Sequence, residues 1–215
     1  FTSRRNDESC LRPSMPLPPP ECPRTPMHTR SVRIDAFKRT DGAWDIEAEL
    51  SDTKPFDCML NTGPLPAGEP IHLMRLRVTV DDQYNVLDAI AVTEARPYPG
   101  VCEAITPHYR RLIGLNLLRG FRAGVRERLG GIEGCTHLSE LAQVLPTAAI
   151  QAAAGDPARR RAERGPNAAR RPFQLDQCHA LRVDGPMVAL YYPTWHRPAK
   201  PAALAGPTSC VSNEE

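Results

Sequence analysis

The chain has 215 residues, with 27 Lys+Arg against 25 Asp+Glu and a formal net charge of +2. That length suits one domain, or one domain with tails. A hydrophobic fraction of 41% can form a sizeable core, while 23 Pro and 6% aromatics place part of the chain outside it. Near-neutral charge argues against a nucleic-acid binder, and no apolar stretch approaches the roughly 20 residues that span a bilayer. The first 30 residues carry no apolar signal segment, so a cytoplasmic protein with reduced cysteines is expected. Seven Cys, unevenly spaced, make a poor disulfide framework.

Residues 1–30 hold seven prolines, with Leu17-Pro18-Pro19-Pro20 reading as extended polyproline, and predict a disordered lead-in. Met15 is the first methionine, so residues 1–14 are expected to be upstream translation or a fragment end, and Cys10 is given no role. Order is expected from Ser31. Val32, Ile34 and Ala36 alternate with polar residues; after Asp41-Gly42, Trp44, Ile46, Ala48 and Leu50 alternate with Asp45, Glu47 and Glu49. Period two on both sides of a Gly turn predicts an antiparallel hairpin with one wet face.

A Pro/Gly-rich loop follows from Pro55 to Pro70. Met74, Leu76, Val78 and Val80 then share a face against Arg75, Arg77 and Thr79, and Asp81-Asp82-Gln83 turns into Val86–Thr93. This is a second hairpin, and four strands in sequence predict an antiparallel meander.

Leu118, Phe121, Val125 and Leu129 recur at helical steps and predict one amphipathic helix from about Pro107 to Leu129, closed by Gly130-Gly131. A second helix begins at Thr136, read as its N-cap, with Leu138, Leu141, Ala142 and Leu145 on one stripe and Pro146 as a break or kink. Residues 155–172 carry six Arg and predict a basic linker. Residues 173–197 predict a short module packing on the domain, with Cys178-His179 and a strand-like Met187–Tyr192, and 198–215 a loose tail. Strands followed by helices make residues 31–154 an α+β domain: two hairpins backed by two or three helices.

Phosphate loops, dinucleotide fingerprints, nucleophile elbows and Cys-x-x-Cys pairs are absent. What remains is His72, Cys102, Cys135 and His137. His72 shares the strand parity of Met74 and Leu76, so it points at the apolar face, where an unpaired imidazole is costly. Cys102 follows the rigid Pro97-Tyr98-Pro99-Gly100 turn. Cys135 opens the second helix, where the dipole favours a thiolate. Two thiolates and an imidazole suit zinc, and three protein ligands leave one position open. His72, Cys102 and Cys135 are therefore the expected ligands of zinc (or iron), with His137 as base or fourth ligand. Asp52 and Lys54, after the second strand, are expected near the site as catalytic groups.

His28-Thr29-Arg30, Asp41-Gly42-Ala43-Trp44-Asp45-Ile46-Glu47, Ile71-His72-Leu73-Met74, Pro97-Tyr98-Pro99, Gly134-Cys135-Thr136-His137-Leu138 and Cys178-His179-Ala180-Leu181 together give the chain a likeness to a known family. From Pro16 to Trp195 it resembles a bacterial family catalogued as a domain of unknown function, family 2889. Genes of that family are commonly associated with catabolic clusters. More distantly, the stretch His72–Val80 with Val86-Leu87-Asp88-Ala89 resembles the NifU/IscU-type iron–sulfur scaffold. That likeness implies the same sheet-and-helix fold and lays the scaffold's ligand positions on His72, Cys102 and Cys135. The scaffold's first Cys falls near Pro70 and the His beside its last Cys is Gly134 here, so a mononuclear His/Cys/Cys site is the stronger expectation.

The functional expectation is a metal-dependent lyase of retro-aldol type, or a hydrolase, acting on a small oxygenated or aromatic catabolite. The rivals are an iron–sulfur or sulfur carrier and an accessory protein with a structural metal. A small-molecule partner is expected, with no nucleic acid, no membrane and a possible homo-oligomer.

Overall fold

The computed structural model describes residues 17–154, 156, 171, 172 and 174–198. Residues 1–16, most of the basic linker with Arg159-Arg160-Arg161, Phe173 and the tail beyond Pro198 lie outside the described residues, as do Cys10 and Cys210. The chain divides into two compact units at Gly155/Asp156.

The first unit is an α+β layer pair. Four long strands, β1 (Thr29–Lys38), β2 (Trp44–Thr53), β5 (Pro70–Val80) and β6 (Val86–Ala95), form one antiparallel sheet in the order β1-β2-β5-β6. β1 starts two residues before Ser31. The β1–β2 hairpin closes where Gly42 takes φ +91°, a left-handed conformation that glycine adopts without strain. The Pro55–Pro70 loop is not structureless: β3 (Cys58–Leu60) and β4 (Gly63–Leu65) pair within it as a small separate hairpin.

Alternation decides the two faces. Ile46, Ala48, Leu50, Met74, Leu76, Val78, Val80 and Val86 are buried on one side. Against them pack Tyr109 and Leu112 of a 3-10 helix (Glu103–Leu112), Phe121, Val125 and Leu129 of α1 (Phe121–Leu129), and Leu138, Leu141, Ala142 and Leu145 of α2 (Thr136–Ala153). The other side carries Glu47, Glu49, Arg75 and Arg77, paired across strands as Arg75–Glu49 at 2.6 Å and Arg77–Glu47 at 3.3 Å.

The single helix expected over Pro107–Leu129 is in fact two, with a segment of turns and isolated bridges between. Val86 N–H donates to Leu115 O at 2.8 Å, Gly114 N–H to Val86 O at 2.9 Å and Leu117 N–H to Tyr84 O at 2.9 Å. The Asn116 amide fixes this segment by donating to Gln83 O and accepting from Leu118 N–H. Pairing with the start of β6 thus replaces helical hydrogen bonds, and α1 starts afresh after Gly120, at φ +66°. At α2 the N-cap is Cys135, not Thr136, and Pro146 lies inside the helix without ending it.

The second unit holds 3-10 turns at His179–Leu181 and Pro193–Trp195 and a short helix α3 (Pro186–Tyr191), with Leu175 and Val188 buried. The strand expected at Met187–Tyr192 is therefore a helix. Pro186 at its first position presets a helical φ, which a short apolar run alone does not reveal. Among the described residues no helix is long and apolar enough to cross a membrane.

Candidate metal centre

The apolar inner face of the sheet ends in a polar row. Arg30 stands opposite Asp52 in the β1–β2 ladder, and Asp52 opposite His72 in the β2–β5 ladder. All three continue the inward parity of their strands, so each side chain enters the space beneath α2. The β2–β5 register shifts at Asp52/Thr53, a bulge of the kind that re-aims side chains beside functional sites.

Asp52 is the hub and is 3% exposed. Arg30 forks onto it, Nε to Oδ1 and Nη2 to Oδ2, both at 2.8 Å. His28 Nε2 lies 2.9 Å from Oδ1 and His72 Nδ1 3.1 Å from Oδ2. From α2, His137 places Nε2 3.6 Å from Oδ2, and Glu140 takes the third nitrogen of Arg30. The His72 and His137 rings lie 3.9 Å apart, tilted by 31°.

Charge follows from this geometry. Burial pushes the Asp52 carboxyl up, but the Arg30 fork, with His28 and His72, outweighs it and holds the group at about 2. Burial lowers His72, with Asp52 pulling the other way. Burial and then the neighbouring His72 lower His137. A fixed carboxylate therefore faces two imidazoles whose neutral, ligating form is favoured.

Donor atoms of Asp52, His72 and His137 all lie within 4.8 Å of one another, a group able to hold a metal ion. The Asp52–His72 and Asp52–His137 separations of 3.1 and 3.6 Å bracket the ~3.3 Å edge of a tetrahedron with bonds of about 2.0–2.1 Å. His28 and Arg30 hold the carboxylate from behind, the role outer partners play at metal sites.

Of the expected His72/Cys102/Cys135 set, only His72 falls in the group whose ligand atoms converge among the described residues, Asp52/His72/His137. Cys102 leads the 3-10 helix that packs on β6, while the polar row runs through β1, β2 and β5. A turn holding Cys102 N–H to Tyr98 O at 3.0 Å, with Arg96 bound to Glu103, keeps it on that flank. Cys135 lies at the margin, Sγ 3.9 Å from His137 Nδ1 and 3.8 Å from Met74 Sδ. Lys54 lies outside the group, its ammonium 5.5 Å over the Phe56 ring. Cys178 belongs to the second unit and is exposed.

Three residues that shape the group were given no role at the site from the sequence. Arg30 and His28 were legible in principle: Arg30 shares the parity of Val32 and Ile34, and a cation on a core face needs an anion, which Asp52 supplies. Tyr109 gave no such signal. Fully buried, its hydroxyl accepts from Cys135 N–H at 3.0 Å and donates to Cys135 O at 2.9 Å, with Ser139 Oγ 2.9 Å away, and so fixes the start of α2.

Two surface concavities lie away from the group. One of about 570 Å³ is lined by Arg111, Ile113, Glu127, Arg128 and Glu133, and one of about 400 Å³ sits on the outer face of the sheet. At the edge of the group the His28 side chain is 42% exposed, while His137 and His72 are 21% and 17% exposed.

Comparison with known proteins finds a family model described as "Protein of unknown function (DUF2889)" over residues 28–151. That span opens at His28 and contains every residue of the polar row. No curated protein and no solved structure matches, so the likeness to the NifU/IscU scaffold has no support.

Proposed function

The chain belongs to the family of proteins of unknown function DUF2889, and we propose that it is a metal-dependent enzyme of small-molecule catabolism, a retro-aldol-type lyase or a hydrolase. The observation that carries this reading is the convergence of Asp52, His72 and His137 donor atoms within 4.8 Å at the end of the sheet. Two imidazoles and one carboxylate suit zinc or ferrous iron and leave coordination positions for a substrate. A divalent ion held there supplies a Lewis acid for a substrate oxygen, which serves carbon–carbon lysis and hydrolysis alike.

The protein's own residues supply the rest. Asp52 keeps its charge because Arg30 balances it, and Arg30 is itself held by Glu140. His72 presents Nδ1 and His137 presents Nε2 towards Asp52 Oδ2, the atoms that would hold the ion. His28, at the rim and tied to Asp52 through Nε2, is placed to exchange a proton with substrate at Nδ1. An oxygenated or aromatic catabolite is the substrate class, a choice that rests on the family's association with catabolic clusters.

A second reading has its own observation: Cys135 Sγ, His137 Nδ1, His137 Nε2 and Asp52 Oδ2 form a relay with steps of 3.9 and 3.6 Å. Cys135 sits at the N-terminus of α2, so the relay reads as a thiol nucleophile, its base and the base's orienting carboxylate.

Zinc titration of the metal-stripped chain against a chelator decides between them. The metal reading expects one tight zinc per chain, lost in His72→Ala, and release of an aldehyde or acid from catabolite-like substrates only after loading. Absence of tight zinc, with Cys135 alkylated much faster than the other cysteines, favours the thiol reading and overturns the first.

A further inference from the structure

We propose that β1 is the seam of a homodimer, two copies pairing their β1 strands antiparallel about a two-fold axis at Ile34.

β1 ends the sheet, and no other described strand pairs with its outer edge. It runs for ten residues without Pro, Gly or bulge, and its register with β2 is unbroken. Long, regular edges of this kind are templates for another strand. The opposite edge is different, because the 3-10 helix packs on β6. Val32 and Phe37 on β1 are 49% and 51% exposed, an apolar content that a solvated edge does not need.

Charge selects both the partner and the register. On the outer face Arg33 lies beside Asp35, Nε to Oδ2 at 2.8 Å. In the β1–β2 ladder Arg33 stands opposite Glu49 but Asp35 stands opposite Glu47, like against like. Asp35 is forked by Arg33 of its own chain, at 2.8 and 3.3 Å, and has no cation opposite it on β2, so the Arg33 of a second copy would add to that pair from beyond the edge. With the axis at Ile34, Arg33 of each copy falls opposite Asp35 of the other, and Val32 falls opposite Ala36. Every residue from 30 to 38 is then paired. Sliding by two residues in one direction sets Arg33 against Arg33, and in the other Asp35 against Asp35. The neighbouring registers are thus penalised, and the contact is isologous, as a closed dimer requires. Arg30 faces Lys38 of the second copy, but Arg30 is already bound to Asp52 and Glu140, and the Lys38 ammonium lies 5.2 Å over Trp44.

Sedimentation velocity on the full chain tests this. The wild type should sediment as a dimer at micromolar concentration. Arg33→Asp, which sets Asp against Asp35, should weaken dimerisation about tenfold or more, and the swap Arg33→Asp/Asp35→Arg should restore it. Ile34→Cys, self-opposed at the axis, should form a dimer-sized disulfide on non-reducing gels where the wild type does not. A monomeric wild type, a dimer indifferent to Arg33→Asp, or a swap that fails to restore pairing would each overturn the proposal.

Discussion

Asp52 and His72 face each other across the β2–β5 ladder, His72 Nδ1 3.1 Å from Asp52 Oδ2, at the point where the buried apolar stripe of both strands runs out. The hub of this contact is a carboxylate that is nearly inaccessible to water and still charged.

Replacing that charge has two consequences. Asp52→Asn keeps the shape but leaves Arg30 with only Glu140 as an anion, and the chain should lose about 3 kcal/mol of stability by urea denaturation. Zinc affinity should fall by about 100-fold or more, since an amide is a poor ligand and no longer orients His28 and His72. A variant as stable as the wild type would mean that the fork contributes nothing to folding.

The carboxyl also sets the acid limit. Asp52 is held at about 2 in the fold against about 3.9 in an unfolded chain. A folded value below the unfolded one stabilises the native state fully above that unfolded value, and this contribution is lost as pH falls towards 2. It amounts to about 2–3 kcal/mol. Urea midpoints measured from pH 5 down to pH 2 should fall more steeply for the wild type than for Asp52→Asn.

The histidines act in a higher window. Both are lowered by burial, so below their unfolded value of about 6.5 the unfolded chain takes up more protons, and stability falls with decreasing pH until the folded values are passed. Imidazole resonances of His72 and His137 in NMR titration should shift at lower pH than an exposed histidine. Zinc affinity should decline over the same range.

Cysteine substitution separates the two ligand sets. Cys102→Ser should bind zinc with wild-type stoichiometry, while His72→Ala and His137→Ala should not. Loss of zinc on replacing Cys102 would restore the thiolate set suggested by the sequence.

Tyr109→Phe removes the hydroxyl that holds both backbone groups of Cys135. It should cost about 1–3 kcal/mol and, because His137 lies two residues on, weaken zinc binding without touching a ligand. Thermal denaturation and zinc titration together check this.

The sheet was legible because alternation and turn chemistry agree: Arg75 and Arg77 against Met74 and Leu76, Gly42 at the left-handed turn. The long helix was misread because Leu118, Phe121, Val125 and Leu129 keep helical spacing across a break made by tertiary pairing of residues 114–117 with Tyr84 and Val86. His72 was found by parity. The expected ligand set followed residue chemistry, which favours thiolates, whereas the hairpin register, which sets Arg30 opposite Asp52 and Asp52 opposite His72, brings a different group together. Tyr109 could not be foreseen, since its partner lies 26 residues away on another element.

The most direct test is X-ray absorption on the zinc-loaded full chain. The Asp52/His72/His137 site predicts a first shell of nitrogen and oxygen at about 2.0–2.1 Å with imidazole outer-shell scattering and no sulfur. A sulfur scatterer near 2.3 Å would contradict it and return Cys135 or Cys102 to the metal.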